Sequence, residues 1–114
     1  METYYRDLAD ASLMVGHPDR RRLLRSLAAG LSETAASLPL SWLCQRTRLR
    51  PAAADAQLDL LRRLGVVERV GGERAAGPER MEAHYRLVGP RYRALAELMA
   101  ETLERGDLAE LSLA

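Results

Sequence analysis

The chain has 114 residues, the length of one domain with a sizeable core, so we expect a single domain over residues 1–114. Its 17 basic residues are all arginine, 16 residues are acidic, and the formal net charge is +1. One cysteine excludes a disulfide framework and a multi-cysteine metal cluster within the chain, and no apolar run reaches the ~20 residues that span a membrane. No signal peptide is recognisable, so we expect a cytoplasmic protein.

The charge is distributed unevenly along the chain. Residues 1–16 carry −2, residues 17–93 carry +7 from fifteen arginines against eight acidic residues, and residues 94–114 carry −4. A basic centre between acidic ends is typical of a protein whose middle segment binds a polyanion. The alternative is that these arginines are solvated helix surface, which is the usual state of charged side chains.

The first two segments predict amphipathic helices. The segment YYRDLADASLMV predicts a helix within residues 1–15 that ends at Gly16, and Pro18 favours the start of a second helix. Gly30 is expected to stop this second helix, because glycine tolerates the left-handed cap conformation. In the first helix, helical spacing predicts an inward face made of Tyr5, Leu8, Ala9, Ser12 and Leu13. In the second helix, it predicts that Leu23, Leu24 and Leu27 face inward and that Arg21, Arg22 and Arg25 face outward.

Residues 40–64 have the pattern of a helix-turn-helix. A connection of small residues, SETAASLP, precedes a short helix over residues 40–47, and RLR forms the turn. Pro51 opens the next helix at the favoured first position, and Gly65 ends it. The inward positions of this helix are Ala54, Leu58, Leu61 and Leu64.

Residues 66–88 predict a β-hairpin, the "wing". VVERV is short and rich in β-formers, GGERAAGPER is a loop, and EAHYRLV alternates between two faces. Pro90 then opens a last helix over residues 90–105. The expected fold is therefore mostly α (α+β), a winged helix-turn-helix of five helices with a two-stranded β-hairpin wing.

Four motifs in this order resemble the ArsR/SmtB family of winged-helix transcriptional regulators over roughly residues 8–104: HPDRRRLLRSLAAG, LSWLCQRTRLRP, LDLLRRLGVVERV and AHYRLV. The resemblance implies a homodimer built from the first and last helices, residues 1–15 and 90–105. It also implies a repressor that binds operator DNA and is released by a metal, a redox signal or another cue. The chain departs from the family at Ala52, Ala53 and Ala56, where polar or basic residues are usual, and at His17, which replaces a capping aspartate.

The expected DNA-binding residues lie at the turn, at the start of the following helix and in the wing: Arg46, Arg48, Arg50, Ala52, Ala53, Gln57, Arg69, Arg74 and Arg80. Bases are distinguished in the major groove by hydrogen bonds, which on the outward face from Arg50 to Gln57 only these two end residues can supply. Alanine offers a thymine methyl contact at most, and Asp55 would repel a phosphate. The alternative is a winged-helix protein–protein interaction module that has lost DNA binding.

The apolar faces of the terminal helices predict a dimer interface, because together they are wider than one small subunit can bury. The expected interface residues are Tyr4, Tyr5, Leu8, Tyr92, Leu95, Met99 and Leu103. The alternative is that the two helices pack against each other within one chain, and both arrangements can hold together.

The sequence predicts neither an enzyme nor a metal or cofactor site. Cys44 shares a face with Leu40 and Leu43 and has no soft ligand beside it, so we expect a buried, inert thiol, with thiol-based sensing as a weaker alternative. His17 and His84 lack partners at metal-ligand spacing. No nucleophile–base arrangement and no phosphate-cradling glycine loop is found, and Trp42 is expected to pack between helices.

Overall fold

The computed structural model describes residues 2–31, 37–71 and 82–104, and the structural statements below concern these residues. Within these ranges the chain forms five helices and three strands, which confirms the predicted mostly helical winged helix-turn-helix fold. The elements are α1 (Glu2–Val15), α2 (Pro18–Leu31), β1 (Leu38–Pro39), α3 (Leu40–Thr47), α4 (Pro51–Arg63), β2 (Val67–Val70), β3 (His84–Leu87) and α5 (Gly89–Glu104).

The turn between α3 and α4 is formed by the residues that the sequence indicates. Arg48 adopts the left-handed conformation, with φ 61°, and ends α3. Arg50 is extended and precedes Pro51, which occupies the first turn of α4 where its missing N–H leaves no hydrogen bond unmade. At the other end of α4, Gly65 has φ 80°, and this confirms the predicted glycine stop.

The sheet has one strand more than the predicted two-stranded wing. The strands are antiparallel in the order β1–β3–β2, and Leu38 pairs with Tyr85. The backbone N–H of Leu40 also donates to the carbonyl of Ala83 at 3.0 Å. The sequence places Leu38 and Pro39 in a connection; Leu38 is buried, and Pro39 fits because β1 is an edge strand. The start of the helix-turn-helix is therefore hydrogen-bonded to the wing.

Gly30 does not end α2, which continues to Leu31. A Cβ atom on this glycine would lie 2.5 Å from Cδ1 of Leu38 and 3.0 Å from Cη2 of Trp42. The predicted cap is thus wrong, and the physical reason for glycine here is the close approach of β1 and α3 to the helix. Trp42 packs against the core at this point, as expected.

The inward face of α1 also differs from the prediction. Ala11 and Met14 are buried, whereas Tyr5 is 66% and Leu13 is 46% exposed. Asp7 and Asp10 lie on the same side as the buried pair, at helical spacing. Their carboxylates accept hydrogen bonds from the guanidinium of Arg91 on α5, at 2.9 and 2.7 Å. Sequence periodicity missed this face because it counts acidic residues as outward.

The core is shared by all five helices and the sheet. Leu23 and Leu27 of α2, Leu58 and Leu61 of α4 and Tyr85 of β3 are each at most 1% exposed. These residues match the inward positions expected for the two helices and for the alternating strand. Packing against this core sets the position of α3 and α4 in the domain.

Candidate nucleic-acid interface

Three arginines surround the helix-turn-helix turn. Arg46, Arg48 and Arg50 are all exposed, on the last turn of α3, at its left-handed end and immediately before α4. The guanidinium of Arg46 lies over the ring of Trp42, 5.6 Å from its centroid, where a cation–π attraction holds it. The turn thus presents three fixed positive charges within five residues.

Three of the exposed residues in the first half of α4 are alanines. Ala52, Ala53 and Ala56 are exposed, while Ala54 is fully buried as the inward position. These methyl groups carry no hydrogen-bond donor or acceptor, so they cannot read a base edge by hydrogen bonding. The surface is smooth enough for close approach to a partner, and its specificity has to come from the residues around it.

Gln57 is turned toward α2 rather than outward beside Arg50. Its side-chain oxygen accepts a hydrogen bond from Nη1 of Arg20 at 2.9 Å, and Nε of Arg20 donates to the carbonyl of Leu13 at 2.7 Å. Burial, and then the neighbouring charge of Arg21, lower the pKa of Arg20. The amide oxygen of Gln57 is thus engaged within the chain, so Gln57 stays a prediction as a DNA-binding residue with only its NH2 group left to donate, and Arg50 is the more exposed of the two candidates.

Both aspartates of α4 have partners. The hydroxyl of Tyr85 donates to Oδ1 of Asp55 at 3.3 Å, and Asp59 forms ion pairs with Arg62 and Arg63 at 3.9 and 2.7 Å. Burial of the phenol, and then the negative charge of Asp55, raise the pKa of Tyr85. The two carboxylates therefore stabilise the helix and its contact with the sheet, and the repulsion that Asp59 would exert on a phosphate is offset locally.

The predicted wing residues are only partly described. Arg69 lies exposed on β2, opposite Tyr85 in the strand register. Arg74 and Arg80 lie outside the described residues. On β3, Arg86 is paired with Glu68 of β2, so its charge is compensated within the hairpin.

Sequence reasoning missed a second group of basic side chains, which lines an open cleft between α2 and α3. The cleft has a volume of about 340 Å³ and is lined by Arg22, Arg25 and Ser26 of α2 and by Arg46 and Thr47 of α3. The outward spacing of Arg22 and Arg25 is visible in the sequence, but their approach to Arg46 depends on how the two helices pack. We call this feature the α2–α3 cleft.

The residues expected at a dimer interface fall into two groups. Leu95 is fully buried in the core of the single chain, and Met99 is 7% exposed. Tyr4, Tyr5 and Leu103 are 40%, 66% and 52% exposed. Leu8 and Tyr92 are half-buried; Tyr92, Met99 and Leu103 line a groove of about 290 Å³ between α1, α2 and α5.

Cys44 is half-buried instead of fully buried, on the side of α3 that faces Glu82. Burial and the charge of Glu82 both raise the pKa of its thiol, so the reactive thiolate is disfavoured at neutral pH. Glu82 itself accepts hydrogen bonds from the backbone and hydroxyl of Ser41. The surroundings of Cys44 thus favour its protonated, unreactive thiol, in line with the inert cysteine that the sequence predicts.

The histidines have structural partners. Nδ1 of His17 accepts from the backbone N–H of Asp19 at 3.1 Å and so caps the start of α2, and the His84 ring is within hydrogen-bond distance of the carbonyl of Glu82. The described residues contain no cluster of three side chains suited to hold a metal ion. None of the described helices combines the length and apolarity that a bilayer crossing needs.

The chain matches no protein-family model and no curated protein. Among solved structures it is similar to NadR in complex with 4-hydroxyphenylacetate, with a TM-score of 0.55 and 20% sequence identity over 100% of this chain and 72% of that one. NadR is a winged-helix transcriptional regulator of the MarR family. The likeness confirms the winged-helix fold; it does not favour the ArsR/SmtB family over other winged-helix families.

Proposed function

We propose that the protein is a DNA-binding transcriptional regulator, a cytoplasmic, homodimeric winged-helix repressor of the ArsR-like type that its motifs resemble. The observation that carries the proposal is the exposed set Arg46, Arg48 and Arg50 at the turn of a helix-turn-helix. Guanidinium groups at this position match the phosphates on either side of a major groove that receives α4. The fold shared with NadR supports the same reading.

In this proposal, DNA binding is dominated by the phosphate backbone. Arg46, Arg48, Arg69, Arg74 and Arg80 contact phosphates, and these contacts set the position of the domain without reading sequence. Ala52 and Ala53 pass close to the bases. Arg50 supplies the hydrogen bonds to base edges, and sequence-dependent DNA shape supplies the remaining specificity.

The second subunit docks on the terminal helices. Tyr4 and Tyr5 are in edge-to-face contact, 5.6 Å apart, and with Leu13 and Leu103 they give α1 and α5 exposed apolar side chains. Apolar surface of this kind is typical of a protein interface. The buried residues Leu95 and Met99 pack beneath this apolar surface on α5.

The proposal is tested with random duplex DNA and a charge-matched pair of variants. Arg48→Gln with Arg50→Gln removes two charges at the turn; Arg6→Gln with Arg93→Gln removes two from exposed positions on α1 and α5. Five arginine–phosphate contacts per subunit of a dimer give a log–log salt dependence with a slope of about −9, and each lost contact reduces it by about 1. Equal binding by the two double variants would contradict the assigned face.

A second candidate is a protein–protein interaction module, favoured by the exposed alanines Ala52, Ala53 and Ala56. A mobility shift at low salt separates the two candidates, because non-specific binding by a basic winged helix has a dissociation constant of about 10⁻⁴–10⁻⁶ M or tighter. Absence of binding at that concentration supports the interaction module. For a DNA-binding regulator, selection from genomic fragments yields a palindrome with half-sites about one helical turn apart.

A further inference from the structure

The α2–α3 cleft gathers positive charge that the fold does not use. Arg22, Arg25 and Arg46 line the same open cavity of about 340 Å³ and are exposed. Among the described residues, Asp19 pairs with Arg22 at 3.5 Å, one helical turn away on an exposed surface, where such a pair contributes little. The three arginines that line this cavity carry like charges, and an anion bound among them would reduce their mutual repulsion.

The walls of the cleft have the donors that an oxyanion requires. Each guanidinium presents a planar fork of N–H donors that matches two oxygens of a phosphate. Arg46 is held in place by the Trp42 ring. Ser26 adds a hydroxyl, whereas the hydroxyl of Thr47 already donates to the carbonyl of Leu43 at 2.6 Å. The cleft is open to solvent, so a phosphate attached to a larger molecule can enter it.

We infer that the α2–α3 cleft is a phosphate-binding site, in which Arg22 and Arg25 of α2 act together with Arg46 of α3. The source that the geometry favours is the backbone of duplex DNA, because Arg46 precedes Arg48 and Arg50 of the turn by two and four residues. In that form the inference rests on the proposed function, and it extends the DNA-contacting surface from the helix-turn-helix onto α2. The other source of the same chemistry is a small phosphate-bearing molecule that binds without DNA.

The experiment has two arms and a charge-matched control. The variant Arg22→Gln with Arg25→Gln is compared with wild type and with Arg6→Gln/Arg93→Gln, so the change in net charge is the same in both. The first arm titrates inorganic phosphate while the arginine side-chain resonances are followed by NMR. The second arm measures the salt dependence of binding to random duplex DNA.

We expect the cleft variant to lose at least about tenfold in phosphate affinity, since one charge-assisted hydrogen bond is worth roughly that factor. We expect its DNA salt slope to fall by about 1 per subunit while the control stays near wild type. A loss in the DNA arm identifies a backbone phosphate as the ligand. A loss in the phosphate arm alone identifies a small phosphate-bearing ligand, and this result stands even when wild type fails to bind DNA and the proposed function is wrong.

The inference is overturned if the cleft variant and the control agree in both arms. Both substituted positions are exposed, so the fold should be retained, and a thermal melt checks it. If the melt shows unfolding, Arg25→Lys replaces the double variant. Lysine keeps the charge and loses the planar fork, so weaker phosphate binding with an unchanged melt supports the site, and unchanged binding contradicts it.

Discussion

The phenol of Tyr85 on β3 donates a hydrogen bond to Asp55 on α4, with 3.3 Å between the two oxygens. Tyr85 is 1% exposed, so its ring belongs to the core while its hydroxyl reaches the outer part of the helix. The contact fixes the wing relative to the helix that faces the DNA in our proposal. It also gives the Asp55 carboxylate, which would repel a phosphate, a structural role in the contact between α4 and the sheet.

Removal of this hydroxyl by Tyr85→Phe should lower the free energy of unfolding by about 1 kcal/mol, the usual net value of one hydrogen bond. Urea denaturation monitored by circular dichroism measures the change. The matched control is Tyr4→Phe, because Tyr4 is 40% exposed. An equal effect of both substitutions would mean that the Asp55 contact contributes nothing.

The same residue makes stability sensitive to alkaline pH. Burial and the Asp55 charge raise the pKa of Tyr85 in the folded state above its unfolded value, so the protonated phenol stabilises the fold. This contribution is fully present below the unfolded pKa of about 10 and is lost as pH rises through the higher folded value. Unfolding free energies measured from pH 8 to 11.5 should fall more steeply for wild type than for Tyr85→Phe. Parallel curves would show that Tyr85 is not responsible.

The substitution Gln57→Ala separates a structural role from base recognition. It removes the acceptor for Arg20, so stability should fall by about 1–2 kcal/mol, because a partly buried charged donor loses its partner. Base preference, measured by selection from randomised duplexes, should stay as in wild type. A changed preference at one base position, with stability retained, would return Gln57 to the reading surface.

Arg91 joins three elements, and its loss should be costly. Its guanidinium pairs with Asp7 and Asp10 of α1, and its Nε donates to the carbonyl of Leu64 at the end of α4. Arg91→Gln should therefore lower the free energy of unfolding by about 2 kcal/mol, which urea denaturation measures. The neighbouring exposed Arg93→Gln is the control and should change stability by less than about 0.5 kcal/mol. Comparable losses for the two variants would mean that the ion pairs of Arg91 with Asp7 and Asp10 contribute little to stability.

The substitution Gly30→Ala tests the close packing of α2 on Leu38 and Trp42. Alanine gains about 1 kcal/mol of helix propensity, but overpacking a buried contact costs about 1–3 kcal/mol, so we expect a net loss. Thermal melting measures it. Combining Gly30→Ala with Trp42→Leu removes the contact with the indole at 3.0 Å and leaves the nearer contact with Leu38, so the pair should cost less than the sum of the two single changes. Strict additivity would show that the methyl group does not meet the indole.

Local signals were sufficient to predict α3, α4 and the hairpin. Pro51, Gly65 and the alternating strand around Tyr85 act within a few residues, and the structure uses all three as expected. Features that depend on a distant partner could not be predicted from such local signals. Gln57 accepts a hydrogen bond from Arg20, which is 37 residues away in the sequence. The side of α1 that faces α5 depends on the hydrogen bond between Asp7 and Arg91.

The residues of the candidate site also divide into those that local signals predict and those that depend on packing between distant elements. Exposed arginines at the turn follow from chain order, so Arg46, Arg48 and Arg50 could be named from the sequence. The α2–α3 cleft could not, because Arg22 and Arg25 become part of a site only when α3 packs beside them. β1 was missed for a similar reason: two residues with a proline become a strand only when the edge of β3 is available.

The pairing of Leu38 with Tyr85 has a mechanical consequence. β3 lies at the middle of the sheet, hydrogen-bonded on one side to the wing strand and on the other to the residues that lead into α3. This pairing holds the hairpin and the helix-turn-helix at one fixed spacing. In the proposed DNA complex, a duplex whose grooves do not match this spacing has to deform to be bound, so the stiffness of the DNA contributes to specificity.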